Sequence, residues 1–532
     1  MATFSLKIKL STSPYISDLM RMSRIKHVLK LAKAKITILG LVVGAMFVTI
    51  YLWPSIMFKP NNWQQAIPDV ASSSSSPRAV DLNQDKVKDI VIGAGGREFS
   101  PSESGVLAID GATGQVLWKV PARNQVVGSA VFQDINADDI PDVFIGGRSA
   151  IFLALNGSDG TKLWEFLPDN DSLDYINDTT ILNFYSAQLI PDIDGDGFRD
   201  LLTAYGGFIK ARPDEVDRPT GYLMIFSAKS GRILAKAAMP DSRETYFSPV
   251  VHDFQDSGEL EVIFGTGGED IDGHLYRVAL RDVIRNDLSQ VEVLANGKGK
   301  GFIAPPVLMD VNLDGFTDII LNSVDGRLIC IDGVTSKIIW EASLGDTFDT
   351  YTVPAPGYLV GDDSIPDFFS SFGKGPWPFT EYTVHTLTDG KNGQIVFRDT
   401  LGTFQYASPL VCDITHDGKH DVLVAVNTTI MNTMNGREMR WAGNDIMVYP
   451  GGSGTPMRFQ QTLLGSNLGA TPLITDLDGD DHLDVLRTIV HNESQIYSEG
   501  SLTLERTELK VKTKEIFWGG YMGTNGSSLV NH

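Results

Sequence analysis

The sequence predicts an all-β fold: a single β-propeller of eight four-stranded antiparallel blades, preceded by one membrane-crossing helix. Three observations predict it. An aspartate-rich nonapeptide returns about every 50 to 60 residues, and a fixed period of that size marks a repeat architecture. Each copy lies among short apolar runs and Gly-rich turns, which read as strands rather than helices. Ahead of the repeats stands one long uncharged apolar stretch.

In chain order the first element is basic. Up to Lys59 the chain carries nine Lys/Arg and one acid, Asp18, so the remainder stands eight charges below the −22 of the whole, near −30. A domain that acidic argues against nucleic acid as a partner, because phosphate binding needs a basic face. Residues 1–35 form the basic segment, and 36–58 read ITILGLVVGAMFVTIYLWPSIMF between Lys35 and Lys59. As a helix this run is long enough to cross the hydrocarbon core. Tyr51 and Trp53 suit the interface, and the upstream cluster Arg21, Arg24, Lys26, Lys30, Lys33 and Lys35 places the N-terminus in the cytoplasm. The expected location is the plasma membrane, or a bacterial inner membrane, with one pass and the remainder outside. A cleaved signal peptide is the competing reading, but no small-x-small cleavage site follows the run. Residues 59–77, with the run Ala71-Ser-Ser-Ser-Ser-Ser-Pro77, read as a linker. The propeller is expected over 78–532.

Each repeat then follows one order. A short run opens it, as in Tyr246-Phe-Ser-Pro-Val-Val-His-Asp253 or Tyr406-Ala-Ser-Pro-Leu-Val-Cys-Asp413. The acidic loop comes next, then a buried strand such as Ile319-Ile-Leu. A third strand ends in an Asp-Gly turn, as at Asp110-Gly111 and Asp332-Gly333, and the fourth carries an aromatic: Trp118, Trp164, Trp340 or Phe397. One four-stranded sheet cannot cover both its faces, whereas radial stacking does so and protects the edges. Eight copies predict eight blades; one weak copy taken as an insertion would leave seven. The terminal 525–532 resembles a truncated opening strand that would complete a blade and close the ring.

The loops define candidate metal sites. Positions 1, 3, 5 and 9 are Asp81, Asn83, Asp85 and Asp89; Asp134, Asn136, Asp138 and Asp142; Asp192, Asp194, Asp196 and Asp200. They continue as Asp310, Asn312, Asp314 and Asp318; Asp413, Thr415, Asp417 and Asp421; Asp476, Asp478, Asp480 and Asp484. Side chains at 1, 3 and 5 converge, and a cage of hard oxygens suits Ca²⁺. Asp and Asn also make turns through bonds to their own backbone, without any metal. Weaker copies at Asp253–Glu261 and before Asp367 are expected to be turns.

The acidic loop followed by a strand and Phe264-Gly265-Thr-Gly267-Gly268 resembles the FG-GAP/VCBS repeat of integrin-α-like propellers. The ending Asp110-Gly-Ala-Thr-Gly-Gln-Val-Leu-Trp118 resembles quinoprotein-type repeats. Together the resemblances cover roughly 70–532 and imply the propeller fold, with structural calcium as the cofactor. Quinoprotein dehydrogenases use adjacent cysteines beside their cofactor, whereas the two cysteines here, Cys330 and Cys412, are far apart and read as buried thiols.

No catalytic constellation is read from the sequence. Three irregular stretches are candidate recognition loops: 167–185; 373–382 with Trp377, Phe379 and Tyr382; and 431–441 with Arg437, Arg440 and Trp441. Aromatic and Arg side chains anchor interfaces, though such tryptophans also plug gaps between blades. Sequons stand at Asn156, Asn177, Asn427, Asn492 and Asn525. The expected function is a membrane-anchored, extracytoplasmic module that binds or adheres to a protein or glycan. The alternatives are a calcium-dependent polysaccharide lyase or hydrolase, similar to some calcium-rich propellers, and a subunit stabilising a membrane partner.

Overall fold

The computed structural model describes residues 62–530 apart from 71, 98, 169–177, 209, 213–214, 362, 376–379, 435–436, 492–499 and 513–515. The expected anchor at 36–58, together with Trp377, Phe379, Asn177 and Asn492, lies outside the described residues. No helix among those described is long and apolar enough to cross a membrane.

Eight antiparallel sheets form the eight blades of the propeller. Blades 1 to 6 span 78–122, 131–165, 183–238, 250–296, 307–343 and 348–400; blade 7 spans 410–464, and blade 8 spans 473–512. In blades 3 and 6 the first strand is broken into two pieces on one partner, which makes a five-stranded count from a four-stranded plan. Second and third strands are buried end to end, as in Asp89–Gly93 and Ile151–Leu155. Fourth strands alternate, as in Ile338–Ser343, where Trp340 and Ala342 face inward. That gradient places the fourth strand outermost and explains its weaker apolar signal.

The ring does not close as the sequence suggests. Trp63–Pro68, inside the expected linker, is the fourth strand of blade 8 and pairs antiparallel with Ser501–Lys512. The C-terminus completes no blade. Ile516–Trp518 pairs with the first strand of blade 7, and the chain then crosses the axis to a parallel bridge between Leu529 and Leu308 of blade 5.

The repeat signature is explained by contacts between blades. Trp118 Nε1 donates to Gly157 O of blade 2 at 2.8 Å, Trp164 to Ala228 O of blade 3 at 2.7 Å, and Trp340 to Gly390 O of blade 6 at 2.6 Å. Trp63 repeats this across the closure, to Gly111 O of blade 1 at 2.8 Å. Each indole lies flat on a glycine with positive φ in the next blade, Gly160, Gly231, Gly393 or Gly114, where a Cβ would meet the ring. In blade 4 Arg277 takes the tryptophan's role and donates to Gly333 O of blade 5.

His385, on the third strand of blade 6, is fully buried. Its Nε2 donates to Leu401 O at 3.1 Å, so Nδ1 accepts from Ser371 Oγ at 2.9 Å. Burial holds its pKa down to about 4. Above its unfolded value near 6.5 the ring is neutral in both states; below it the unfolded chain takes up the proton first, so stability falls as pH drops toward 4. The expected loss is about 3 kcal/mol, from about 1.36 kcal/mol per pKa unit. Urea unfolding at pH 7 and pH 4.5 checks it: His385→Gln should lose less on acidification than the parent.

Candidate functional site

The segments entering the first strands converge on the axis and line a funnel of about 430 Å³. Every blade contributes: Ser74 and Ser76, Gly128, Tyr185, Glu244 and Tyr246, Ile303, Tyr351, Tyr406 and Leu468 in blade order. The backbones approach closely here, so small residues are needed. The serine run does this work and is not a free linker. Ser75 Oγ accepts from Gly93 N at 2.9 Å and donates to Gly128 O at 2.8 Å, and Ser76 Oγ accepts from Thr471 N of blade 8 at 3.0 Å.

The C-terminal segment is the funnel floor. Arg78 donates to Tyr521 O at 2.8 Å, Tyr521 Oη lies 3.3 Å from Ser248 Oγ, and Gln188 donates to Gly526 O at 3.0 Å. Leu308 N donates to Ser528 O at 2.8 Å. One short peptide is thereby tied to blades 1, 3, 4 and 5, besides the strand pairing with blade 7.

The funnel wall is charged on its blade 4 side. Glu244 is 1% exposed; its carboxylate meets Arg218 at 3.2 Å and accepts from Tyr246 Oη at 2.9 Å. Burial raises its pKa against the pull of Arg218. Glu269 has no ion pair among the described residues: burial first, then neighbouring Asp270, push it up to about 7, and the Tyr351 hydroxyl faces it. Lys300, whose charge acts on Glu269, is engaged by Asp349. The Tyr351 and Tyr406 rings meet edge to face at 4.9 Å. Sequence reasoning missed this cluster, although a signal exists. Tyr246, Tyr351 and Tyr406 each stand three residues before a proline, at one position of the repeat.

The acidic loops follow the first strands and lie at the other end of the blades. They form separate sites and share none. In the Asp81, Asp134, Asp192 and Asp476 loops, the first carboxylate accepts from the N–H groups of positions 4 and 6. The ninth accepts from the N–H of position 2, as Asp89 does from Leu82 at 2.8 Å and Asp421 from Ile414 at 2.9 Å. Its other oxygen takes the N–H of the hairpin glycine, Gly111, Gly157, Gly333, Gly390 or Gly451. Asp367 keeps both bonds although its loop has lost positions 1 and 3. The ninth aspartate is therefore a staple between two hairpins, and burial pushes Asp89, Asp200, Asp318 and Asp367 up to about 6.

Among the described residues, two triads bring carboxylate oxygens within 4.8 Å of one another: Asp192, Asp194, Asp200 and Asp476, Asp478, Asp484. They differ in one respect. Arg506, with no side-chain exposure, donates to Asp478 at 2.6 Å and to Asp484 at 2.8 and 3.0 Å. A guanidinium thus already pairs with two carboxylates of the blade 8 loop. At the blade 3 loop the corresponding contact comes from Arg232, which is 65% exposed and free to leave. The first triad is the better fit for a divalent cation.

The remaining candidates scatter. Tyr382 pairs with Lys374 at the start of a blade 6 strand. Arg440 is exposed and Trp441 half-buried on the long hairpin of blade 7; of Arg437 only the backbone, opposite Met434, is described. Asn525 is exposed and Asn156 half-buried. Asn427 corrects the sequon reading: it is 3% exposed, and its amide donates to Phe404 O and Asn467 O, so folded chain offers no room for a glycan there. Cys330 and Cys412 are buried in separate blades and form no disulfide.

Comparison with known proteins agrees with the fold. Residues 62–191 match the family model described as outer membrane protein assembly factor BamB. Protein FAM234B of Mus musculus is 23% identical over 398 residues, 67% of this chain and 57% of that protein. Protein FAM234A of Homo sapiens is 33% identical over 106 residues, 20% of this chain and 18% of that protein. The chain thus spans less than two thirds of the curated relatives it matches. A europium-containing methanol dehydrogenase superposes with TM-score 0.55 at 10% identity, over 84% of this chain and 92% of that one. The exotype rhamnogalacturonan lyase YesX gives 0.51 at 13%, over 84% and 75%. At such identities the likeness is one of fold. The quinoprotein-like repeat endings have their counterpart here, but a quinone cofactor does not suit this funnel. Pyrroloquinoline quinone carries several carboxylates, and it would face Glu244, Glu269 and Asp270, opposed by Arg148 and by an Arg218 that is already paired.

Proposed function

We propose that this chain is a binding module whose ligand, a protein segment or a glycan, is received by the central funnel. One observation carries the reading: all eight blades, with the C-terminal segment as floor, build a single cavity lined by tyrosines and charged groups. Concave sites with a few convergent polar groups are where ligands bind. The uncharged stretch 36–58 and its basic flank support a single-pass anchor with the propeller outside the cytoplasm. Ile303 lines the funnel and is partly exposed. Ile303→Trp should obstruct it, weakening capture of glycans or cell-surface proteins while leaving the melting temperature unchanged. Retained capture would move the site elsewhere.

Calcium at the acidic loops, as their FG-GAP resemblance implies, has a structural role in this reading. Millimolar Ca²⁺ is expected to raise the melting temperature relative to excess chelator. One site held at a hundred times its Kd adds about 2.7 kcal/mol. The blade 3 loop should supply that gain, so Asp194→Asn should remove most of it. Equal melting in both conditions would leave the loops as turns.

A second reading, a polysaccharide lyase or hydrolase, is favoured by Glu269. A carboxyl pushed up to about 7 in a cavity suits a general acid or base. Incubation with pectic polymers, read by the absorbance of unsaturated products, decides between the two: turnover lost in Glu269→Gln would replace the binding reading with an enzyme.

A further inference from the structure

We propose that the funnel recognises an organic ammonium group, seated between Glu269, Asp270 and the Tyr351–Tyr406 pair. The proposal rests on the funnel being the binding site and names the chemistry that site selects.

Charge balance on the blade 4 side leads to it. Two of the four acids around this wall have their own cations. Glu244 is paired with Arg218, and Asp349 with Lys300. Glu269 and Asp270 are adjacent, both line the cavity, and neither has an ion pair among the described residues. Glu269 is half-buried and Asp270 is exposed at the cavity, and a half-buried carboxylate without a counter-charge is costly to keep ionised. A ligand cation at that point removes the cost and gains Coulomb energy in a weakly screened site.

The walls add a second preference. Tyr351 faces Glu269, and the rings of Tyr351 and Tyr406 meet edge to face at 4.9 Å. Tyr246 closes the same side, packed so tightly on Gly268 that a Cβ there would crowd its ring. With the Tyr351 hydroxyl on Glu269, tyrosine rings line the cavity beside the carboxylate, and such rings attract an alkylammonium through the ring quadrupole. A volume of about 430 Å³ admits a side-chain-sized ligand and no folded domain. The strongly acidic propeller would draw such a cation toward the mouth. One ammonium per funnel is the expected stoichiometry.

Two sources share this chemistry, a lysine side chain presented by a partner and a free aliphatic amine. The test is titration calorimetry on the full-length chain in detergent micelles, with N-acetyl-lysine methylamide, putrescine and n-butanol as the neutral control. Binding of either amine at one per chain, with none for butanol, is the expected result. Tighter binding of the lysine derivative points to a protein partner, and tighter binding of putrescine to a free amine. Glu269→Gln should weaken binding at least tenfold and Asp270→Asn less, both with unchanged melting. Binding should also weaken as pH falls from 8 to 6, because Glu269 takes up its proton near 7. No amine binding, or binding indifferent to Glu269→Gln, overturns the proposal. If a protein or glycan ligand is still lost in Ile303→Trp, the funnel stands as a binding site for another chemistry. If none is, the binding reading fails with it.

Discussion

Replacing Arg506 with alanine is expected to lower stability by about 3–5 kcal/mol, the range for removing one partner of a buried ion pair. Arg506 is fully buried and does three things at once. It holds Asp484, itself 1% exposed, and reaches Asp478 across the blade 8 loop. It also donates to Gly111 O of blade 1 at 3.0 Å, beside the Trp63 indole that donates to the same carbonyl. Alanine leaves a buried carboxylate uncompensated and loosens the contact that seals the ring. Burial already pushes Asp484 up to about 6 with the arginine present, so part of the loss would be met by protonation. Urea unfolding of parent, Arg506→Ala and Arg506→Lys checks this. Lysine keeps the charge without the two-pronged geometry and should fall between. A calcium-dependent gain larger in the alanine variant than in the parent would show that guanidinium and cation compete for the blade 8 loop. A loss under 1 kcal/mol would make the cluster a surface-like pair.

A chain beginning at residue 78 is expected to lose cooperative unfolding altogether, whereas one beginning at residue 62 keeps it. The missing segment is the outer strand of blade 8, paired residue for residue from Trp63 opposite Arg506 to Pro68 opposite Ser501. It also buries Ile67 and Val70 and supplies the axial serines that bond to blades 1 and 8. Without it blade 8 has three strands and an open edge, and an open edge invites pairing with other chains. Differential scanning calorimetry and light scattering on the two chains check this. Equal sharp transitions would mean that the closure contributes little.

The repeat was legible because it is written in local chemistry. Each Asp-rich turn, each Asp-Gly hairpin and each fourth-strand tryptophan satisfies nearby backbone groups, and local rules of that kind survive in a linear string. The aspartates were legible as a pattern and less so as a purpose. Asp367 shows why: its carboxylate makes the same two staple bonds in a loop that has lost the acids of positions 1 and 3, so the ninth acid is required by the backbone before any cation is considered.

What the sequence determined by itself is therefore the eight-fold repeat, the antiparallel blade and the acidity. All three depend on residues within one repeat. Tertiary structure alone decided three other matters. The strand Trp63–Pro68 belongs to the last blade, the 519–530 segment floors the funnel, and Glu269 stands beside Tyr351 while Arg506 fills an acidic loop. Each of these joins residues that are dozens to hundreds of positions apart. Their energies come from burial and charge pairing across blades, and those terms exist only once the ring has closed.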